Sequence, residues 1–398
     1  MPRSRTKWTV RKTRKASASG QILGCDPNAP TAGEWATMVE YEGFSVSDEE
    51  DAKEQEFQVN DIALVLPNGK SVGSKVPLHK YWVCKVLEVR SRSSDNAESS
   101  RDVWVKVLWY YSAQDAAEKL DSEYFDPFHC GDYERISSNH IDCVSSAVFE
   151  DMAIVKHYRE TDLDQESIRD GEFYYRYDLD TVSHTLKPKP GSNTCICEEA
   201  YDPSDPSPER LMHFCLQPSC RKFYHSSCIA SKKSAPAAER DLSFLLCSPD
   251  TGEPLPRPDA DAASDTAPEP PKKKRRASKN KSNSSSAPAI DPTPLLAPLP
   301  PTLVSAAAQP IVKGAAFPAG GVVGNIAAVV AARRLVYDAL LREDHSVPDG
   351  WEEFVDLNLA DVQLAWVRHN GKLAPVVGKR PNVPVLLALE CPGCGGPI

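Results

Sequence analysis

Six apolar runs dominate the chain between Phe57 and Leu186: FQVNDIALVL, YWVCKVLEVR, DVWVKVLWYY, HIDCVSSAVF, AIVKHY and GEFYYRYDL. They are rich in Val, Ile, Trp and Tyr and are broken by turn-rich gaps such as PNGKSVG and SRSSDNAESS. β-Branched and aromatic side chains suit a pleated, half-buried surface, so residues 57–186 are predicted to form the strands of one antiparallel, barrel-like β domain. The period changes downstream. In VGNIAAVVAARRLVYDALLRE, residues 323–343, Ile326, Val329, Val330, Leu335, Val336 and Leu340 recur at helical spacing and predict one inserted helix. Residues 1–56 show no sustained period and end in the acidic run DEEDAKEQE, which predicts a disordered tail. Residues 231–320 are rich in Pro, Ser and Ala, and 15 of the 34 prolines fall between Pro249 and Pro318, so this stretch is expected to be disordered too.

A length of 398 residues suggests two or three folded units. The formal charge is −10, yet residues 1–15 and 271–281 each hold seven Lys/Arg and no acid, so the rest carries −10 − 14 = −24. An acidic body repels the phosphates of bare DNA and attracts a cationic peptide. The run PKKKRRASKNK, from Pro271 to Lys281, reads as a nuclear import signal. The segment RTKWTVRKTRK offers a second signal or a sequence-blind DNA tether. No run of 18 apolar residues occurs and the start lacks a secretory apolar stretch, so the expected setting is intracellular, soluble and reducing. There, twelve cysteines point to metal and not to disulfides.

Eight of the candidate ligands follow a pattern: Cys195-x-Cys197, seventeen residues, Cys215-x4-Cys220, four residues, His225-x2-Cys228, then Cys391-x2-Cys394. Closely spaced thiols let one turn supply two ligands, and zinc takes four such ligands in a tetrahedron, so eight make two closed sites. The order of four cysteines, one histidine and three cysteines resembles a PHD (plant homeodomain) finger. That resemblance implies a cross-brace, with Cys195, Cys197, His225 and Cys228 on one zinc and Cys215, Cys220, Cys391 and Cys394 on the other. The last pair is separated from Cys228 by 162 residues, more than the family's usual gap, and Leu389 stands where the family carries Trp. Closing so long a loop is affordable in entropy, since doubling its length adds only about 0.6 kcal/mol. Closed sites serve folding, so the metal is structural.

Residues 57–186 resemble a BAH (bromo-adjacent homology) domain, carried by NDIALVL, YWVCKVLEVR, VWVKVLWYYSAQDA, YFDPFHCGDYERI and FYYRYDLD. The order of the two modules is similar to that of tandem BAH-PHD chromatin readers. The resemblance implies a nuclear partner, a histone tail on the nucleosome, and a methyl-lysine cage at Trp82, Trp109 and Tyr111, with His129 and Asp132 beside the peptide. A methylated ammonium keeps its charge while losing N–H donors, so aromatic faces hold it, at roughly 0.5–2 kcal/mol per contact. Trp109 and Tyr111, two apart on a strand, share a face. Such residues on a strand are otherwise core. In the finger, Phe223 and Tyr201 are weaker cage candidates, because Phe223 stands where cage-forming relatives carry Trp. Glu198, Glu199 and Asp202 are available to an unmodified tail, or are solvated surface.

No phosphate-binding glycine loop, nucleophile elbow or His-Glu-x-x-His motif occurs, and Cys84, Cys130 and Cys143 read as packing residues, so no catalysis is expected. Two other readings stay open: a BAH-type scaffold that binds chromatin proteins regardless of methylation, and a RING-like accessory of a ubiquitin ligase. RING fingers usually place the histidine one ligand earlier.

Overall fold

The computed structural model describes residues 8–12, 28–48, 54–67, 75–92, 103–120, 125–191, 195–231, 242–256, 291–360, 364–369, 372–377, 389–396 and 398. The basic run 271–281 lies outside them, as does most of the basic N-terminal segment. The chain divides into two compact units, residues 1–206 with 320–323, and residues 207–319 with 324–398. Among the described residues no helix is long and apolar enough to cross a membrane.

The first unit contains β1 (Trp8–Lys12), α1 (Ala32–Thr37), β2 (Val39–Tyr41), β3 (Gly43–Asp48), β4 (Glu54–Gln58), β5 (Ile62–Val65), β6 (Trp82–Ser91), β7 (Val103–Ser112), α2 (Ala113–Ala117), β8 (Glu134–Ser145), β9 (Phe149–Met152), β10 (Val155–His157), β11 (Phe173–Asp180) and β12 (Thr185–Lys187). Each of the six apolar runs supplies strands. Among the described residues, nine of these strands form one sheet in the order β10-β11-β8-β7-β6-β5-β9, with β12 on β11 and β2 on β6. The central ladders are antiparallel as expected, but β11 runs parallel to both β8 and β10, which makes the sheet mixed. The core of this unit holds Phe44 and Phe57, from a second sheet β1-β3-β4, and Phe149, with ring centroids 5.1, 5.0 and 5.4 Å apart. Burying each such ring contributes roughly 1.5–3 kcal/mol.

The tail expected to be disordered over 1–56 is ordered in part. Thr31 and Glu34 form a capping box: Glu34 N–H donates to Thr31 Oγ1 at 3.2 Å and Thr31 N–H to Glu34 Oε2 at 2.8 Å. The box starts α1, whose Trp35 is buried, with its indole N–H donating to Glu88 at 3.0 Å. Arg90 and Lys106 lie 5.3 and 4.9 Å from the same ring. One capped turn and one tryptophan leave no period to read, yet they dock the segment onto β6 and β7.

The second unit contains β13 (Met212–Cys215), β14 (Lys222–His225), α3 (Ser226–Ser231), α4 (Thr293–Leu296), α5 (Pro301–Ala308), β15 (Val312–Lys313), α6 (Ile326–Leu341), α7 (Leu357–Ala360), β16 (Leu364–His369) and β17 (Lys372–Val377). The expected helix is α6. The expectation of disorder through residue 320 is corrected: residues 291–320 carry α4, α5 and β15. Pro294 and Pro301 stand in the first turns of α4 and α5, where the missing N–H costs nothing, and Leu296, Leu299, Leu303 and Ile311 are buried. Arg333 of α6 closes the end of α5, donating to the Ala307 and Gln309 carbonyls at 2.9 Å each. β14, β13 and β15 form a small antiparallel sheet in that order.

Candidate functional site

The ligand spacing resolves into two clusters. Donor atoms of Cys195, Cys197, His225 and Cys228 lie within 4.8 Å of one another, as do those of Cys215, Cys220, Cys391 and Cys394. All eight expected ligands are therefore grouped as the cross-brace requires, including the distant last pair.

In the second cluster, Cys215 closes β13, Cys220 lies in the turn before β14, and Cys391 and Cys394 lie in a tight C-terminal turn. That turn is fixed by Cys391 N–H donating to the Gly396 carbonyl at 2.7 Å and Gly395 N–H to the Cys391 carbonyl at 2.9 Å. Gly393 belongs there because a Cβ would strike the Tyr224 hydroxyl. The Cys215–Cys394 and Cys220–Cys391 sulfurs are each 3.6 Å apart. Thiolates about 2.3 Å from a tetrahedral zinc stand about 3.8 Å apart, whereas a disulfide brings them to about 2.05 Å. The spacing fits a metal and not a disulfide, and these cysteines are free thiols. Burial opposes ionisation of Cys391, but the N–H groups of Cys394 and Gly393 and the Tyr224 hydroxyl outweigh it and lower its pKa to about 7. Burial pushes the Cys215 thiol well up. One thiol is thus readied as a thiolate by the backbone, while the other relies on the metal's own charge.

The three strand aromatics are placed unequally. Trp82 opens β6 and is half-buried; Trp109 stands opposite Cys84 in β7 and is 4% exposed; Tyr111 is 5% exposed. Trp82 and Trp109 meet edge to face, centroids 5.7 Å apart at 84°. Trp109 Nε1 is buried with no hydrogen-bond partner among the described residues. Tyr111 instead stacks on His140 at 5.9 Å, its hydroxyl 2.6 Å from His140 Nδ1. Burial raises Tyr111 to about 12 and lowers His140, which favours the neutral imidazole as acceptor.

His129 ends a 3-10 turn, Pro127–His129, capped by Asp126, whose carboxylate accepts from Phe128 N–H at 3.0 Å. Phe128 projects from this turn, 80% exposed. Two buried guanidinium groups hold the loop. Arg176 donates from Nη2 to the His129 carbonyl at 3.0 Å and pairs with buried Glu134 at 2.7 Å, and Tyr174 also donates to Glu134 at 3.0 Å. Burial alone would lower Arg176, but Glu134, Tyr177 and Glu160 raise it well above its usual value. Arg135 donates to the Asp132, Glu134 and His79 carbonyls at 3.1, 3.0 and 2.8 Å and to the Tyr81 carbonyl at 3.4 Å. Burial lowers it to about 10. One cation therefore ties Asp132 to the residue preceding Trp82.

Sequence reasoning did not single out Glu134, Arg135 or Arg176. The local signals are charges inside runs that otherwise read as strand: the pair in YERI for Glu134 and Arg135, and the lone arginine of FYYRYDLD for Arg176. In the second unit, Phe223 is buried against Phe214, centroids 4.7 Å apart. Tyr201 is buried in the first unit, its hydroxyl donating to the Val322 carbonyl at 2.9 Å. Glu199 accepts a long contact from the Cys197 thiol at 3.9 Å, and Asp202 caps its own turn by accepting from Ser204 N–H at 2.8 Å.

No protein-family model matches this sequence, and no curated protein matches it. Among solved structures, the chain is similar to the crystal structure of the yeast Rsc2 BAH domain, at 12% identity and a TM-score of 0.22. That likeness covers 34% of this chain and spans half the length of the other.

Proposed function

We propose that the protein is a nuclear, non-enzymatic chromatin reader whose β unit binds a lysine-bearing histone tail, with methylated lysine at Trp82, Trp109 and Tyr111 and the peptide along His129 and Asp132. The observation that carries this reading is the Arg135 clamp, which fixes the Asp132 carbonyl and the turn before Trp82 around one buried guanidinium. The orphaned indole N–H of Trp109 adds to it, since a buried donor without a partner suits a peptide carbonyl arriving with the ligand. The body's charge of −24 outside its two basic runs suits a cationic tail. Two closed Cys/His sites offer zinc no open position for a substrate, which agrees with a binding role.

The test is a titration of the full chain against histone-tail peptides in methylated and bare forms, with Trp82→Ala as the variant. Preferential binding of a methylated peptide, reduced in the variant, is the expected result. One observation favours a second reading: Tyr111 lies in the core and is engaged by His140. Equal affinity for both peptide forms assigns the unit to methylation-independent scaffolding.

A further inference from the structure

The finger's sheet has a third strand that comes from the long insertion. β15 pairs antiparallel with β13, Val312 opposite His213 and Lys313 opposite Met212, and Phe214 N–H donates to the Ile311 carbonyl at 2.9 Å. Two residues of a Pro/Ala-rich segment have little reason to form a strand alone, so the edge of β13 organises them. The opposite side of β15 is held by the wholly buried Asn325. Its side chain accepts from Val312 N–H at 2.7 Å and donates to the Pro310 carbonyl at 3.0 Å, and its own N–H donates to the Val312 carbonyl at 3.1 Å. Gly324, at φ 80°, lets the chain pass against Val312, where a Cβ would strike the carbonyl.

Lys313 is fully buried, and its ammonium stands 4.1 Å from the centroid of Phe223. A lysine is rarely buried without a reason, and an ammonium over an aromatic face is how a ring holds a cation. Strand addition at a sheet edge with one side chain in a pocket is a recurring mode of peptide recognition: main-chain bonds give affinity and the pocket gives specificity. We infer that the outer edge of β13 together with Phe223 is a binding site for an extended apolar-apolar-lysine peptide, and that this chain fills it permanently with its own residues 310–314. The occupant is PIVKG. A finger so filled takes no lysine tail from another molecule, and tail recognition falls to the β unit. The inference stands apart from the reading of the strand aromatics, since it uses none of their residues.

The test uses a labelled peptide of residues 308–316, AQPIVKGAA, and the full chain in two forms, wild type and one with residues 310–314 replaced by Gly-Ser-Gly-Ser-Gly. Wild type is expected to leave the peptide free, and the vacated chain, retaining two zinc ions, to bind it. Changing the peptide's lysine to alanine should weaken that binding roughly 2- to 30-fold, the range of one cation–π contact. Peptide binding by wild type as tight as by the vacated chain, or none by a vacated chain with its zinc intact, overturns the inference. Should the vacated chain lose its zinc, wild type itself decides by NMR. Ring-current-shifted Lys313 Hε protons that return to ordinary positions in Phe223→Leu, with slow exchange of the Phe214 amide, support the occupied edge. Unshifted Lys313 protons or fast Phe214 exchange overturn it. Because no arm uses a methylated peptide or alters Trp82 or Trp109, failure here leaves the tail-reading proposal untouched.

Discussion

Trp82 and Trp109 touch, but they answer different questions when substituted. Trp109 is core, and its truncation costs about 3–5 kcal/mol of stability, as large-to-small changes do, so lost binding there is confounded with lost fold. Trp82 is half-buried, and Trp82→Ala is expected to weaken methylated-peptide binding roughly 2- to 30-fold while leaving a cooperative melt, checked by calorimetry on the same sample. Tyr111 and His140 give a pH signature. Burial holds the folded pKa of His140 below its ordinary value, so the unfolded chain binds the proton more readily. The stabilisation from neutral His140 is complete above about pH 6.5, the unfolded value, and is lost as pH falls through the lowered folded value. Protonation also removes the acceptor for the Tyr111 hydroxyl. Melting temperatures of wild type and His140→Asn are therefore expected to diverge least at pH 5 and most at pH 7.5; parallel curves reject the assignment.

Two buried arginines on neighbouring strands turn β8 and β11 into a clamp for the loop between residues 126 and 133. Glu134→Gln leaves Arg176 without its principal counter-charge in a site where both side chains are at most 2% exposed, and breaking such a pair costs about 3–5 kcal/mol. The expected outcome is a lower denaturation midpoint together with faster amide exchange over residues 126–133, because the same guanidinium holds the His129 carbonyl. Unchanged loop exchange would make the pair a packing element only. The strands themselves were legible in the sequence, because a strand's period is local and its residue preferences are visible over five residues. So were the metal ligands, whose spacing is dictated by coordination geometry wherever the chain wanders between them. The clamp was not legible: Glu134 and Arg176 are 42 positions apart, and nothing local to either announces the other. β15 stayed hidden for the same reason, as PIVKG has no period and becomes a strand only against β13.

Of the two candidate metal clusters among the described residues, the second closes the longer loop, joining Cys215 and Cys220 to a turn that begins at Cys391. Loop-closure entropy rises only with the logarithm of length, so four thiolates on one metal ion would suffice to hold it. With sulfurs at 3.6 Å and no disulfide, the cluster without metal is a set of crowded thiols, with Cys391 held below the usual thiol value by the N–H groups of Cys394 and Gly393. Removing zinc should therefore free the C-terminal turn and expose the Cys215–Cys220 segment together. Elemental analysis is expected to give two zinc ions per chain, and Cys394→Ser to give one. In that variant, proteolysis should cut first between residues 389 and 396 while β13 and β14, still tied through His225 and Cys228, resist. Two ions retained in Cys394→Ser would mean that the Cys394 thiol is no ligand.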